Sequence, residues 1–176
     1  MDEGFAEFDS VLRDGRGVHL RAVRPADEAE FLQAFERLGP DARYMRFMRS
    51  VREPNRERLR TVLASFPADG VGLVATVAAA DGFDIAGSAV AIFTSDRSSC
   101  EFAITVASAF GGSGLATVLM TALIDAARRR GIGEMEGFVL GMNQPMLRLA
   151  RRLGFSIAPD PDDASIRLCR LRLASA

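Results

Sequence analysis

Glu101-Phe102-Ala103-Ile104-Thr105-Val106, then Gly111-Gly112-Ser113-Gly114, then Leu115-Ala116 and onward to Arg130: this stretch decides the fold. Its first part is a short β-rich run, and its middle places glycine at three of four positions. Its last part keeps Leu115, Leu119, Leu123 and Ala126 at helical spacing. Arg128 to Arg130 fall at the negative end of that helix's dipole, and Gly131 stops it. A strand that turns through glycines straight into a helix leaves backbone N–H groups free at the positive dipole end, with little side chain to hold an anion off. Such a turn can carry a pyrophosphate; it can equally be a structural turn without ligand, because a short glycine pattern alone has low specificity. The dinucleotide-binding fingerprint fits worse, since Thr117 stands where its third glycine would be and the motif lies far from the first strand.

Working outward, strand-like alternation runs from Val18 to Arg24, and Pro25 stops it. Asp27 is placed to cap a helix whose Phe31, Leu32, Phe35 and Leu38 share one face before Gly39-Pro40. Further helical segments cover Asp41 to about Arg49 and, after Pro54, the run through Leu59, Val62, Leu63 and Phe66. Val71 to Ala80 and Ile85 to Thr94 read as a hairpin around Asp81-Gly82-Phe83-Asp84. On the other side come a strand from Glu134 to Leu140, a helix from Pro145 to Leu153 stopped by Gly154, and strands near Phe155 and over Ile166 to Leu173. No repeat or internal boundary interrupts this order. It predicts one α/β (α+β) layered domain over residues 17–176, preceded by a loosely held arm, residues 1–16, that lacks a clear period.

The 176 residues are 48% hydrophobic and 26% charged, enough for one folded core and too apolar for a disordered chain. The longest apolar run, Val71 to Ala80, is far short of a bilayer span, and Met1-Asp2-Glu3 does not read as a signal peptide, so a cytoplasmic protein is expected. A net charge of -1 gives no general attraction to nucleic acid. All 22 basic residues are arginine, which excludes a P-loop lysine, a Schiff-base lysine and pyridoxal chemistry. His19 is the sole histidine, and Cys100 and Cys169 are far apart, so a metal site has almost no ligands to draw on and none is expected. No Gly-x-Ser-x-Gly elbow is present. The two cysteines read as small buried apolar residues, and His19, on an alternating strand, as a structural or surface histidine.

In its setting, Gly111-Gly112-Ser113-Gly114-Leu115-Ala116 resembles the acyl-CoA signature of the GNAT superfamily of N-acetyltransferases, Gln/Arg-x-x-Gly-x-Gly/Ala. Asn143-Gln144-Pro145-Met146-Leu147 leading to Leu153-Gly154-Phe155 is similar to a second conserved block of that family, and the element order matches from Gly17 to Leu173. Arg21 to Asp27, Ala42 to Phe47 and Glu101 to Val106 look closest to the acetyltransferase domains of bacterial protein-lysine acetyltransferases that modify acyl-CoA synthetases. The resemblance implies a twisted, mixed and mostly antiparallel sheet of about seven strands with helices on both faces. Its fourth and fifth strands, Glu101 to Val106 and Glu134 to Leu140, should splay to admit pantetheine. It implies that Ile104 and Val106 offer main-chain groups to pantetheine, that the amides of Gly112, Ser113, Gly114, Leu115 and Ala116 bind the pyrophosphate beside Gly111, and that Asn143 touches the coenzyme arm. A turn or helix cap is the other reading of Asn143.

The function so implied is transfer of acetyl from acetyl-CoA to a primary amine by direct attack in a ternary complex. The preferred acceptor is a protein lysine, for example on an acyl-CoA synthetase, with a monomer or homodimer as the working unit and neither nucleic acid nor membrane as partner. Glu101 matches the glutamate that the lysine-acetyltransferase branch uses as base; a plain strand-end carboxylate is its other reading, and Glu134 and Glu136 are runners-up. The sequence departs from the family pattern twice. Gly111 removes a side-chain contact, and the tyrosine that many members use to protonate the departing thiolate aligns with Ala150. Arginines from Arg43 to Arg60 form either an acceptor-facing patch or a solvated surface. Arg128 to Arg130, Arg151 and Arg152 are candidates for the coenzyme's 3'-phosphate. A small-molecule amine acetyltransferase and a weakly catalytic acyl-CoA-binding regulatory module are the alternatives.

Overall fold

The computed structural model describes residues 4–173. Met1 to Glu3 of the expected arm and residues 174–176 lie outside the described residues. Eight strands form one sheet: β1 (Phe8–Val11), β2 (Gly17–Ala22), β3 (Gly70–Ala79), β4 (Gly82–Phe93), β5 (Ser99–Val106), β6 (Glu134–Leu140), β7 (Ser156–Pro159) and β8 (Ile166–Arg172). Their spatial order is β1-β2-β3-β4-β5-β6-β8-β7. All neighbours are antiparallel except β5 and β6, which run parallel. Helices α1 (Glu28–Arg37), α2 (Pro40–Phe47) and α3 (Arg56–Ser65) connect β2 to β3, α4 (Leu115–Arg129) connects β5 to β6, and α5 (Gln144–Arg152) follows β6.

Alternation along each strand sends side chains to two layers. Val71, Leu73 and Ala75 of β3 join Leu115, Leu119, Met120 and Leu123 of α4 in the larger core, together with Leu147 and Leu149 of α5. Val74 faces the other way and packs with Val23, Leu63 and Ile85, flanked by Phe31, Leu59 and Phe66 from α1 and α3. Cys100 and Cys169 are free and buried, and burial pushes the Cys100 thiol up to about 12, so it behaves as the small apolar residue expected.

Two expectations change. The strand count is eight, and the segment read as an arm contributes the extra strand: β1 pairs Phe8 with Leu20 and Val11 with Gly17, while Leu12 is 4% exposed in the core. Four residues carrying Asp9 and Ser10 are too short and too polar to display a strand period, so the pairing partner β2 makes the strand. His19 holds this edge, its Nδ1 2.7 Å from Asp9 Oδ1 and its Nε2 2.6 Å from Glu7 Oε2, and those carboxylates raise its pKa. Asp27 does not cap α1 in the expected manner. Its carboxylate is buried, receives two 2.8 Å bonds from the Arg21 guanidinium and accepts another from the Arg24 amide, thereby tying β2 to the helical layer.

Candidate functional site

The parallel β5–β6 ladder is short. It registers Ser99 with Glu134, Cys100 with Met135 and Glu101 with Glu136, and then the strands part. The next pair would be Phe102 and Gly137, and here the Phe102 ring occupies the space of a Gly137 side chain, so that a Cβ on Gly137 would meet Phe102 Cε1 at 2.3 Å. Phe155 backs the same ring edge-on, with centroids 5.3 Å apart. Phe102 thus sits as a wedge where the sheet opens, in the place where the splay was expected between the strands counted fourth and fifth from sequence. Beyond it lies a cleft of about 410 Å³ between β5, β6, α2, α4 and α5.

Backbone direction in β5 follows from its neighbours. The Ala107 amide donates to Ala86 O and Ser99 O accepts from Thr94, so odd-numbered residues turn their polar groups to β4. Phe102, Ile104 and Val106 turn theirs the opposite way, into the opening that β6 has left. The odd-numbered side chains Glu101, Ala103 and Thr105 share the face next to α2, while Phe102, Ile104 and Val106 pack toward α4.

At the far end of β5 the chain passes through a 3-10 turn, Ser108–Phe110, into the glycine loop. Ser113 is 2% exposed and braces that loop: its amide and its hydroxyl both donate to Phe110 O, and its Oγ accepts the Leu115 amide at 3.3 Å. Its carbonyl accepts the Arg13 amide. Gly112 (φ +70°) and Gly114 (φ +89°) adopt the left-handed conformation that glycine takes without penalty. The amides of Gly112, Gly114, Ala116 and Thr117 have no hydrogen-bond partner among the described residues. The free donors are therefore those four. Ser113 and Leu115 spend their amides inside the loop, which differs from the set expected from sequence.

Of the ten residues assigned to the base and the coenzyme, Glu101, Ile104, Val106, Gly111, Gly112, Gly114, Leu115, Ala116 and Asn143 line this cleft, and Ser113 does not. Asn143 is the N-cap of α5, where its Oδ1 accepts the Met146 amide at 3.4 Å. Glu101 stands at the mouth on the α2 side. Partial loss of water and then the nearby Glu136 raise its pKa above the ordinary value, against the pull of Arg58 and Arg46. Glu136 itself lies across the β5–β6 pair and is engaged by Arg170 at 3.4 Å, while Glu134 does not line the cleft. Ala150 is fully buried, and the sole tyrosine, Tyr44, does not line the cleft. Of the terminal arginines, Arg128 pairs with Asp125 and Arg130 bonds Pro67 O, whereas Arg152 faces the cleft. The described residues contain no cluster of three or more His, Cys, Asp and Glu able to hold a metal, and no helix among them is long and apolar enough to cross a membrane.

Residues 18–156 match the family model described as the acetyltransferase (GNAT) domain. The chain belongs to the GNAT acetyltransferase family. An acetyltransferase of Pseudomonas aeruginosa is 33% identical to this acetyltransferase over 162 residues, 92% of this chain and 87% of the relative. Among solved structures, the GNAT domain of S. lividans PAT superposes with a TM-score of 0.84 at 22% identity, covering 94% of this chain and 96% of that one. A GNAT superfamily phosphinothricin acetyltransferase from Sinorhizobium meliloti, in complex with acetyl-CoA, gives 0.69 at 18% identity, with 89% of each chain covered.

One cleft residue, Arg13, escaped the sequence reading, and another, Arg46, entered it only as a member of the arginine-rich run from Arg43 to Arg60. Arg13, 99 positions before Gly112, lies along the glycine loop with its Nη2 3.4 Å from Gly112 O, and its Nε would be 3.1 Å from a Cβ on Gly114. Only the β1–β2 pairing brings it there, so no local pattern could have shown it. Arg46 of α2 stood in the sequence as one of many arginines, and nothing in its spacing singles it out from Arg43 or Arg49.

Proposed function

We propose that this acetyltransferase uses acetyl-CoA as donor and moves the acetyl group directly onto a primary amine, with a protein lysine as the preferred acceptor. The observation that carries the reading is the meeting, in one opened sheet, of outward-turned β5 backbone, four free amides at the start of α4, and Glu101 at the mouth. Pantetheine would lie along Ile104 and Val106 in the manner of an added strand. The diphosphate would take the amides of Gly112, Gly114, Ala116 and Thr117, with Gly111 at the loop's edge and Arg13 supplying the charge that the loop itself lacks. Asn143 and Arg152 flank the coenzyme arm from the α5 side.

An amine with a pKa of about 10.4 arrives protonated at neutral pH and cannot attack a thioester. Glu101 accepts that proton, directly or through a water; its raised pKa makes it a better acceptor than an ordinary carboxylate. The freed nitrogen lone pair attacks the acetyl carbonyl carbon, the C–S bond breaks with its electron pair leaving on sulfur, and the second proton of the now cationic nitrogen passes to water or to the departing thiolate. With no tyrosine lining the cleft, the thiolate, whose conjugate acid has a pKa of roughly 8.5, leaves unprotonated or takes its proton from water or from that nitrogen. The setting is the cytoplasm, where free buried thiols such as Cys100 persist.

The test follows free-thiol release from acetyl-CoA with lysine-bearing acyl-CoA synthetases and a panel of small amines, together with the mass of each product. Acetylation of one synthetase lysine is the expected outcome. Transfer only to a small amine overturns the acceptor class, and coenzyme binding with no turnover overturns the catalytic reading.

A further inference from the structure

Two arginines beside the helical layer are drawn away from water, Arg21 buried and Arg46 half-buried in the cleft wall, and the chain treats them differently. Arg21 is matched by Asp27 in a two-pronged pair at 2.8 Å. Arg46 has no carboxylate within 4.0 Å among the described residues. Its Nε donates to Thr105 Oγ1 at 3.0 Å, its guanidinium lies 4.9 Å from the Phe47 ring centroid, and the side chain lines the cleft. Its charged neighbours are Arg58, of like sign, and Glu101, which acts on it through space from beyond ion-pair distance. Removing a guanidinium from water without an anion is unfavourable, and the loss of water here weighs against its charge more than Glu101 restores. Two other arginines of this segment are committed elsewhere: Arg43 bonds Phe35 O and stacks on the Phe35 ring, and Arg60 pairs with Glu28.

We propose that Arg46 is the anion subsite of the acceptor side, and that the acceptor amine is presented with a carboxylate several bonds away. This rests on the reading of Glu101 as the base. Thr105 is four residues beyond Glu101 on the same strand face, which at about 3.3 Å per residue bounds the spacing of the two subsites at roughly 13 Å. Glu101 is nevertheless near enough to act on Arg46. At the upper end of that spacing an α-amino carboxylate is too short to place its amine at Glu101 and its carboxylate on Arg46. An ω-amino carboxylate fits, as does a lysine residue with an acidic neighbour in the acceptor chain, and both present the same chemistry. The planar fork of arginine suits a carboxylate held by two parallel bonds, with Thr105 fixing the third N–H and hence the plane.

The experiment compares matched acceptors: 5-aminopentanoate against 1-aminopentane, and an acetylated Glu-Lys peptide amide against its Gln-Lys counterpart. For the parent protein the carboxylate-bearing member should have a kcat/KM about tenfold or more higher, mainly through KM, as expected of a charged hydrogen bond. Arg46→Gln should collapse that ratio toward one, and Arg46→Lys should recover part of it. Coenzyme affinity and the thermal melt of each variant report on folding. A preference confined to the small pair identifies a free amino acid as acceptor, and one confined to the peptides identifies a protein; both support the subsite. Equal rates within both pairs, or an Arg46→Gln variant that keeps the ratio, overturn it while leaving the acetyltransferase reading intact. If no amine is acetylated, calorimetric titration of 5-aminopentanoate into the CoA-loaded protein decides. Binding that Arg46→Gln abolishes keeps the subsite and sinks the proposed reaction, and no binding by the parent protein sinks the subsite as well.

Discussion

Replacing Gly114 with valine attacks the coenzyme loop at the point where its geometry is tightest. Gly114 has φ +89°, a conformation that costs an L residue roughly 1–2 kcal/mol, and a β-branched one lies at the upper end. At about 2–4 °C per kcal/mol for a domain of this size, the melting temperature should fall by several degrees, leaving a folded protein to study. The added Cβ would stand 3.1 Å from Arg13 Nε, at the far end of a flexible side chain, so Arg13 yields and the loop loses its cation. The valine methyl groups also shield the amides of Gly114 and Ala116. Hydrogen bonds to a charged group contribute about 1.5–3 kcal/mol each, so impairing one or two of them lowers acetyl-CoA affinity by roughly ten- to a thousandfold. Calorimetric titration of the folded variant, beside Gly112→Ala, where a Cβ meets nothing within 4 Å, separates blocked approach from backbone strain. Unchanged acetyl-CoA affinity in a folded Gly114→Val protein would refute the assignment of the loop to the diphosphate.

Glu101→Gln should lower kcat by about 10²–10⁴ with little change in coenzyme affinity. Because the carboxyl must be ionised to accept a proton and its pKa is raised, the parent rate should fall with decreasing pH along a limb lying above the ordinary Glu range; a variant keeping both rate and limb removes Glu101 as base. Arg13→Gln should weaken acetyl-CoA binding by about five- to tenfold, a modest effect because the site is open to solvent, and should leave S-acetylpantetheine, which lacks the diphosphate, unaffected; equal losses with both donors would assign Arg13 to loop structure alone. Asp27→Asn should destabilise the fold by about 3 kcal/mol in denaturant titration, since it leaves Arg21 buried without its anion. Burial opposes the Asp27 charge, but the Arg21 bond, the Arg24 amide and the Arg21 charge hold its pKa below the ordinary Asp value. Its stabilisation is thus fully present above the unfolded-state pKa and lost as pH falls through the lower folded one, so parallel acid-unfolding curves for the parent and the Asp27→Asn variant would contradict this account.

The glycine loop and α4 were legible because their signals are local: three glycines, a helical apolar stripe and a terminating glycine. The β5, glycine-loop and Asn143 parts of the cleft lining followed from them and from the family pattern. What stayed hidden depends on contacts between distant segments. β1 exists because β2 pairs with it, and Arg13 reaches Gly112 only through that pairing. The division of the loop amides could not be read either, since it turns on the Ser113 hydroxyl folding back to Phe110 O, a choice that a serine in a glycine-rich run does not announce. Arg46 and Arg43 sit three residues apart and look alike in sequence; the Phe35 carbonyl takes one, while the strand hydroxyl of Thr105 turns the other into the cleft.

The Phe102 wedge leaves a sheet with a seam in its middle. Edge strands are the usual places where a sheet can recruit foreign backbone, and proteins guard them with charge or short length, as β1 does here with Asp9 and Glu7 beside it. The interior margin along Ile104 and Val106 carries no charged side chain of its own, and on the proposed reading its outward backbone groups are satisfied when pantetheine lies along them. On the proposed reading, bound coenzyme covers that margin and stabilises the folded domain in proportion to the logarithm of its concentration over the dissociation constant, so the same ligand that is consumed in turnover also completes the sheet.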